Sequence, residues 1–327
     1  VPSDDRRFAN AAESRKPPAP MRDVQRQTRS WLMELFTQHG INPRGDLGQN
    51  FLIDVNLIEF AVRHASLGPN DVALEVGSGT GGMTAFLAEE AGHVISVDVD
   101  ENMSKLAAEA VVGYNNVTLI NQDILKNKNT LAPEICDLIR AHVASLRNGQ
   151  LKLVANLPYS VATPVIANLI ASDLPWERMV CTIQWELGEK MASEHGTSGY
   201  SALSVWIQSQ ASIRILRKLG PNVFWPRPKV DSAIVSIWRD KEAAARINDR
   251  KFFLDFLRRA FSQRRKLIRP VLIGMYRKQL DKEDVDRLLA ELEHKTDDRA
   301  EQMDIATLIR LSNHVHATIV NKGTEEI

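Results

Sequence analysis

The sequence predicts an α/β protein: a doubly wound parallel sheet followed by a smaller all-α region. Three observations carry that expectation. Short apolar runs alternate with segments of helical periodicity from about residue 72 to residue 184, the pattern of consecutive βαβ units. A glycine cluster closes the first apolar run and opens a helix. After about Arg239 the strand pattern stops and only helical periodicity remains.

Residues 1–27 form a polar, Ala/Pro/Arg-rich arm with few large apolar side chains, and disorder is expected there. The arm has no apolar h-region, and Asp4, Asp5, Glu13 and Asp23 are spread through it. Neither a secretory signal nor an acid-poor transit peptide is therefore expected. From Thr28 to His39, Trp31, Leu32, Leu35 and Phe36 recur at helical spacing, and Gly40 supplies a stop. Asp54 reads as the N-cap of a helix whose buried face is Leu57, Ile58, Ala61 and Val62. Strands are then expected at Val72–Val76, Val94–Val97, Val117–Ile120, Leu151–Ala155 and Met179–Gln184. The helices between them run to Ala91, over Glu101–Val112, near Glu134–Leu146 and over Thr163–Ala171. Ser212–Arg217 and Ser232–Trp238 read as edge strands joined through the Pro-rich Pro221–Lys229 segment. Helices over Lys251–Phe261, Lys266–Tyr276, Glu283–Leu292 and Met303–Ser312 complete the chain. The expected division is an arm at 1–27, an α/β domain at 28–244 and a helical domain at 245–327.

With 327 residues the chain can bury its own core without disulfides or a structural metal. The 41 basic and 41 acidic residues cancel, so any affinity for nucleic acid must come from how charge is distributed. The two cysteines, Cys136 and Cys181, form no CxxC pair, and no Cys/His spacing suits zinc. A reducing, cytoplasmic setting is expected, with no membrane segment and no metal.

The glycine loop Gly77-Ser78-Gly79-Thr80-Gly81-Gly82 has the G-x-G-x-x-G spacing of a dinucleotide fold, and Asp98 ends the second strand where a ribose-binding acid belongs. Glycines and Asp98 alone leave NAD and other adenosine cofactors open. Glu75 tips the choice. An acid just before the first glycine would repel a pyrophosphate but suit a ligand carrying a sulfonium and an ammonium, and S-adenosylmethionine is such a ligand. Asp98 would take the ribose hydroxyls, and Asp123, after the third strand, the adenine amino group. Three acids follow three successive strands at the sheet edge where open α/β folds bind ligands.

Asn156-Leu157-Pro158-Tyr159 follows the fourth strand. Its residue types suit methylation of an exocyclic adenine amine. That nitrogen is a poor nucleophile because its lone pair is delocalised into the ring. An Asn side-chain carbonyl and a nearby backbone carbonyl can accept both amine hydrogens and orient the nitrogen for in-line attack. Pro158 fixes the backbone, and Tyr159 offers a face on which a flipped base can stack.

Several segments, in order, resemble the KsgA-type (RsmA) small-subunit ribosomal RNA adenine N6-dimethyltransferase family, from about Asn42 to Ser312. They are Leu47-Gly48-Gln49-Asn50-Phe51-Leu52, Glu75–Gly81, Asn156–Tyr159, Phe224–Ser232 with its F-x-P-x-P-x-V-x-S pattern, Phe261-Ser262-Gln263-Arg264-Arg265-Lys266, and Arg299-Ala300-Glu301. The resemblance implies a Rossmann-like, class I S-adenosylmethionine-dependent methyltransferase domain. It implies transfer of four methyls to two adjacent adenosines in the 3′-terminal hairpin of small-subunit (16S) rRNA, within an assembling 30S subunit. Carried onto this chain, cofactor contacts fall on Asn50, Leu52, Glu75, Gly77, Gly79, Asp98, Asp123 and Asn156. Tyr159 and Phe224 would sandwich the target base. The chain departs from the family in having Asp98 where Glu is usual and only Arg44 of the basic run before Leu47. The stretch from Asp123 to Asn156 is long for the family and reads as a surface insertion around Lys126–Leu146.

Arg258, Arg264, Arg265 and Lys266, with Arg259 and Arg269, crowd the start of the helical region and are the expected RNA contacts; such a stripe positions phosphates and reads no sequence. Two other readings stand beside this one. An Erm-type enzyme would methylate large-subunit rRNA, although that type usually carries Ile at the position of Leu157. A non-catalytic rRNA-binding assembly factor would show eroded cofactor residues, and none is eroded here. A monomer is expected.

Overall fold

The computed structural model describes residues 27–292 and 298–325. The arm expected to be disordered lies outside them, except for Gln27. The first helix, α1 (Arg29–His39), is capped by the Thr28 hydroxyl and stopped by Gly40 at φ 64°. A short strand β1 (Phe51–Leu52) precedes α2 (Val55–Ala65), which Asp54 caps through the Asn56 amide. The alternation follows: β2 (Asp71–Val76), α3 (Gly82–Glu90), β3 (His93–Asp98), α4 (Glu101–Ala110) and β4 (Val117–Asn121). After the hairpin β5 (Leu125–Asn127) and β6 (Thr130–Leu131) come α5 (Pro133–Ser145), β7 (Gln150–Asn156), α6 (Ala162–Ala171) and β8 (Trp176–Gln184). Two helices, α7 (Trp185–Ala192) and α8 (Ala202–Gln208), lead to β9 (Ala211–Leu219), β10 (Phe224–Trp225) and β11 (Ser232–Arg239).

Seven strands form one sheet in the order β4-β3-β2-β7-β8-β11-β9. The first five are parallel, while β11 runs antiparallel to β8 and β9 antiparallel to β11. The antiparallel pair at the edge is the one expected for Ser212–Arg217 and Ser232–Trp238. The central strands of the sheet are apolar on both sides because both sides are covered. Leu74, Val97, Leu153 and Cys181 join one buried cluster, and Ala73, Val94, Val154 and Val180 join another beneath α2 and α3. The fold is a Rossmann-like, doubly wound sheet with helices following it.

The segment read as a surface insertion, Lys126–Leu146, is exposed throughout only over Lys126–Thr130, and its remainder packs on the core. Its α5 helix starts on Pro133 and buries Ile135, Ile139 and Val143 against the sheet. Their i, i+4, i+8 spacing puts all three on one face, so this helix is the ordinary crossover between β4 and β7. Helices α7 and α8 had no expected counterpart; α8 is held by a capping box between Ser201 and Ser204.

Beyond β11 come α9 (Lys241–Ala244), α10 (Arg250–Ser262), α11 (Ile268–Tyr276), α12 (Lys282–Glu291) and α13 (Ile305–Glu325). The last is longer than the Met303–Ser312 expected. Phe253, Phe256 and Leu257 of α10 belong to the same buried cluster as Trp206 of α8, whose ring centroid lies 6.3 Å from that of Phe253. No described helix is long and apolar enough to cross a membrane.

Candidate functional site

A cleft opens where β2, β3 and β7 end. Four segments line it: Leu47–Phe51, the glycine loop at Gly77 and Gly79, Asp98 and Val99 with Met103, and Asn156–Tyr159. Ligands collect at this edge of open α/β sheets because every loop leaving the strands converges there.

The glycine loop has a steric requirement for glycine. Gly77 sits at φ 87°, and a Cβ there would stand 3.2 Å from the Pro158 ring. At Gly79, with φ 52°, a Cβ would meet the Phe51 ring at 3.1 Å. A side chain at either position would strain the left-handed backbone and press its neighbour aside. Pro158 and Phe51 thereby become walls against which the loop closes.

Asp98 closes β3 and faces the cleft. Its Oδ2 accepts from the Gly79 amide at 3.0 Å and its Oδ1 from the Asp100 amide at 2.9 Å. Burial pushes its pKa above the ordinary range, against the pull of these amides. Gln49 donates to Asp100 Oδ2 at 2.8 Å and so ties the N-terminal motif to the cap of α4.

Asn156 ends β7. Its Nδ2 donates to the Asn50 carbonyl at 2.7 Å, a bond across 106 residues. That bond commits the amide nitrogen and leaves the side-chain oxygen as an acceptor. The Leu157 side chain is buried in the core and its amide donates to the Thr182 carbonyl at 3.1 Å. The Pro158 carbonyl accepts from Val161 and Ala162 and so starts α6. Tyr159 lines the cleft with its hydroxyl 2.6 Å from Ser232 Oγ on β11, and burial raises its pKa.

The structure thus brings Asn50, Gly77, Gly79, Asp98, Asn156, Leu157, Pro158 and Tyr159 to one cleft. It places four other expected residues elsewhere. Glu75 is 1% exposed beneath the glycine loop, where its Oε2 accepts from Thr84 at 2.6 Å and Ser96 at 2.5 Å. Burial pushes its pKa up to about 8, with the Asp98 charge adding to the rise and the two hydroxyls opposing it. Leu52 and Phe224 are buried together as partners in the β1–β10 pair. Asp123 is exposed, and its Oδ1 accepts from the Leu125 amide at 2.8 Å.

Two lining residues lie outside every motif singled out from the sequence: Val99 and Met103. Val99 is 53% exposed, next to a strand-ending acid. An apolar residue immediately after such an acid was the available signal.

The basic cluster divides by environment. Arg264 is partly buried, donating to the Tyr200 carbonyl at 2.6 Å and pairing with Glu301 at 3.4 Å. Arg269 makes a two-pronged pair with Asp286. Arg258 is exposed and donates to Asn129 at 3.1 Å, while Arg265 and Lys266 are exposed. Arg44, the remnant of the expected basic run, pairs with Asp46 at 2.7 Å.

A family profile described as ribosomal RNA adenine dimethylase matches residues 40–311. Ribosomal RNA small subunit methyltransferase A of Bacillus mycoides (strain KBAB4) is 32% identical over 295 residues, covering 90% of this chain and 97% of that protein. The protein of the same name from Bacillus cereus (strain AH187) matches to the same extent. Among solved structures, a dimethyladenosine transferase from Plasmodium falciparum superposes with a TM-score of 0.67 at 23% identity, covering 83% of this chain and 97% of that one. The 23S rRNA methyltransferase ErmE superposes with a TM-score of 0.58 at 21% identity, covering 81% and 99%. At those identities the two structures speak to the fold alone.

Proposed function

This chain belongs to the ribosomal RNA adenine dimethylase family and is an rRNA adenine dimethyltransferase, and from that premise we propose that it dimethylates two adjacent adenosines in the 3′-terminal hairpin of small-subunit rRNA. S-adenosylmethionine is the proposed donor and an assembling 30S subunit the proposed partner. The enzyme acts as a cytoplasmic monomer, with residues 28–244 as the methyltransferase domain and 245–327 as the helical RNA-binding domain.

The cleft lining fits this donor. Each Asp98 oxygen accepts one backbone amide and keeps a lone pair for a ribose hydroxyl. Val99 presents an apolar surface for an adenine face, and the glycine backbone leaves room for close approach. Bound there, S-adenosylmethionine supplies an electrophilic methyl on a sulfonium. Glu75 lies beneath the loop as a neutral acid that a nearby cation would ionise.

The observation that carries the reading is the 2.7 Å bond from Asn156 Nδ2 to the Asn50 carbonyl. It fixes the amide so that Oδ1 accepts one hydrogen of the target amine, while the Leu157 carbonyl accepts the other. With both hydrogens so held, the nitrogen lone pair would be free to attack the methyl that bound S-adenosylmethionine would supply. No general base is needed before transfer, because the nitrogen becomes acidic only once it is cationic, and water takes the proton. Tyr159, anchored through Ser232, holds the flipped base by its ring.

The test is methylation in vitro. Purified protein and S-adenosylmethionine are incubated with small-subunit or large-subunit particles from cells lacking the modification, and the rRNA is digested for mass spectrometry. N6,N6-dimethyladenosine at two adjacent positions near the small-subunit 3′ end is expected. Product only in large-subunit rRNA would point to the Erm-type reaction, and none in either to a non-catalytic assembly factor.

A further inference from the structure

The residues just before the family match, 27–39, reach the cleft from behind. Leu32 and Phe36 of α1 are 1% and 2% exposed and pack on Met103 and Leu106 of α4. Phe36 also stands edge-on to Phe51, at 5.4 Å between centroids, and to Trp225, at 5.2 Å. Phe51 and Met103 are cleft walls, so α1 backs both of them. At the start of this segment Gln27 grips the glycine loop. Its Nε2 donates to the Thr80 carbonyl at 3.0 Å and its Oε1 accepts from the Thr80 hydroxyl.

Gly82 makes room for that grip. A Cβ there would stand 2.8 Å from Gln27 Oε1, and Gly82 carries no positive φ that would demand glycine. A side chain at this position would press on the end of the Gln27 side chain and push it off Thr80. The loop contains three glycines with positive φ, Gly77, Gly79 and Gly81, whose amides are held by Val97, Asp98 and Ser78, while Gln27 holds the carbonyl and hydroxyl of Thr80.

We propose that Gln27 is a positioning residue for the donor site: it latches the apex of the glycine loop at Thr80 and couples α1 to occupancy of the cleft. The inference rests on the reading of the cleft as the S-adenosylmethionine site. By linkage, a ligand that needs the latched loop must in turn tighten the segment that latches it.

The experiment measures S-adenosylmethionine binding by calorimetry for the full chain and for Gln27→Ala, Gly82→Ala and the double variant. Amide exchange across residues 29–39 is followed with and without ligand. Each single variant should weaken binding roughly tenfold, of the order expected for the removal of two hydrogen bonds. The double variant should be no worse than either single one, because both remove the same interaction. Turnover at saturating donor should hold while KM for the donor rises, and ligand should slow exchange in α1 of the wild type but not of Gln27→Ala. Wild-type affinity in both single variants would overturn the latch. So would additive losses, or exchange in α1 indifferent to ligand. Absence of binding by the wild-type protein would overturn the donor-site reading itself, and the latch with it.

Discussion

Replacing Glu75 by Gln should make the protein more stable, by an amount that grows with pH. The Glu75 carboxyl is buried beneath the glycine loop, with the Thr84 and Ser96 hydroxyls on one oxygen and its pKa pushed up to about 8 from an ordinary 4.5. The folded state therefore holds a proton that the unfolded chain releases above 4.5. For a carboxyl raised in this way, the contribution is fully present below pH 4.5 and is lost as pH rises through 8. Each unit in that window costs about 1.4 kcal/mol, so the three units from pH 4.5 to 7.5 cost about 4 kcal/mol. Gln has nearly the shape of the protonated acid and does not titrate. Its stability relative to wild type should accordingly rise by about 4 kcal/mol between those pH values. Urea denaturation of both proteins at half-unit intervals from pH 4.5 to 8.5 measures this directly, since titrations common to the two cancel in the difference. Parallel stability curves would refute the reasoning. They would mean that Glu75 is ionised in the fold or reaches water.

Asn156→Ala should lower turnover on the order of 10²–10³-fold while leaving RNA binding nearly intact, because its oxygen acts on the attacking nitrogen; single-turnover kinetics beside a binding titration tests this, and equal losses in both would contradict it. Tyr159→Ala should weaken binding of single-stranded substrate RNA by ~1–3 kcal/mol, since it removes the stacking face. Tyr159→Phe keeps the ring but strands the fully buried Ser232 hydroxyl, so it should cost about 1 kcal/mol of stability and little affinity. Equal damage to RNA affinity from the two would show that the hydroxyl itself contacts RNA. Arg265→Ala with Lys266→Ala should flatten the salt dependence of RNA binding by roughly 0.7–0.9 log units for each phosphate no longer neutralised. Arg264→Ala should instead lower the melting temperature, because it breaks the pairing with Glu301 and the bond to the Tyr200 carbonyl; a reversed pattern would reassign the cluster.

The local pattern of residues was enough for much of the fold. Strands β2, β3, β4, β7 and β8 and the edge pair β9–β11 were legible because alternation and apolar runs act within a few residues. The Asp54 cap and the Gly40 stop were legible for the same reason. The glycine loop, the acid at Asp98 and the Asn156–Tyr159 tetrapeptide could be placed on one sheet edge, since strand ends fix where loops emerge.

What the tertiary structure alone decided depends on residues distant in sequence. The pairing of β1 with β10, which sets Leu52 opposite Phe224, buries both of those side chains and turns Phe51 to the cleft instead. Side chains alternate across a strand, so neighbours in one motif part company once the strand is paired. Whether Glu75 faces a ligand or lies under the loop, and whether Arg264 is free or tied to Glu301, are likewise matters of burial. So too is the burial of Ile135, Ile139 and Val143, within the stretch read as a surface insertion. Composition and spacing show what a side chain can do; only packing against residues far along the chain determines what it meets, because burial and hydrogen bonding are properties of the assembled core.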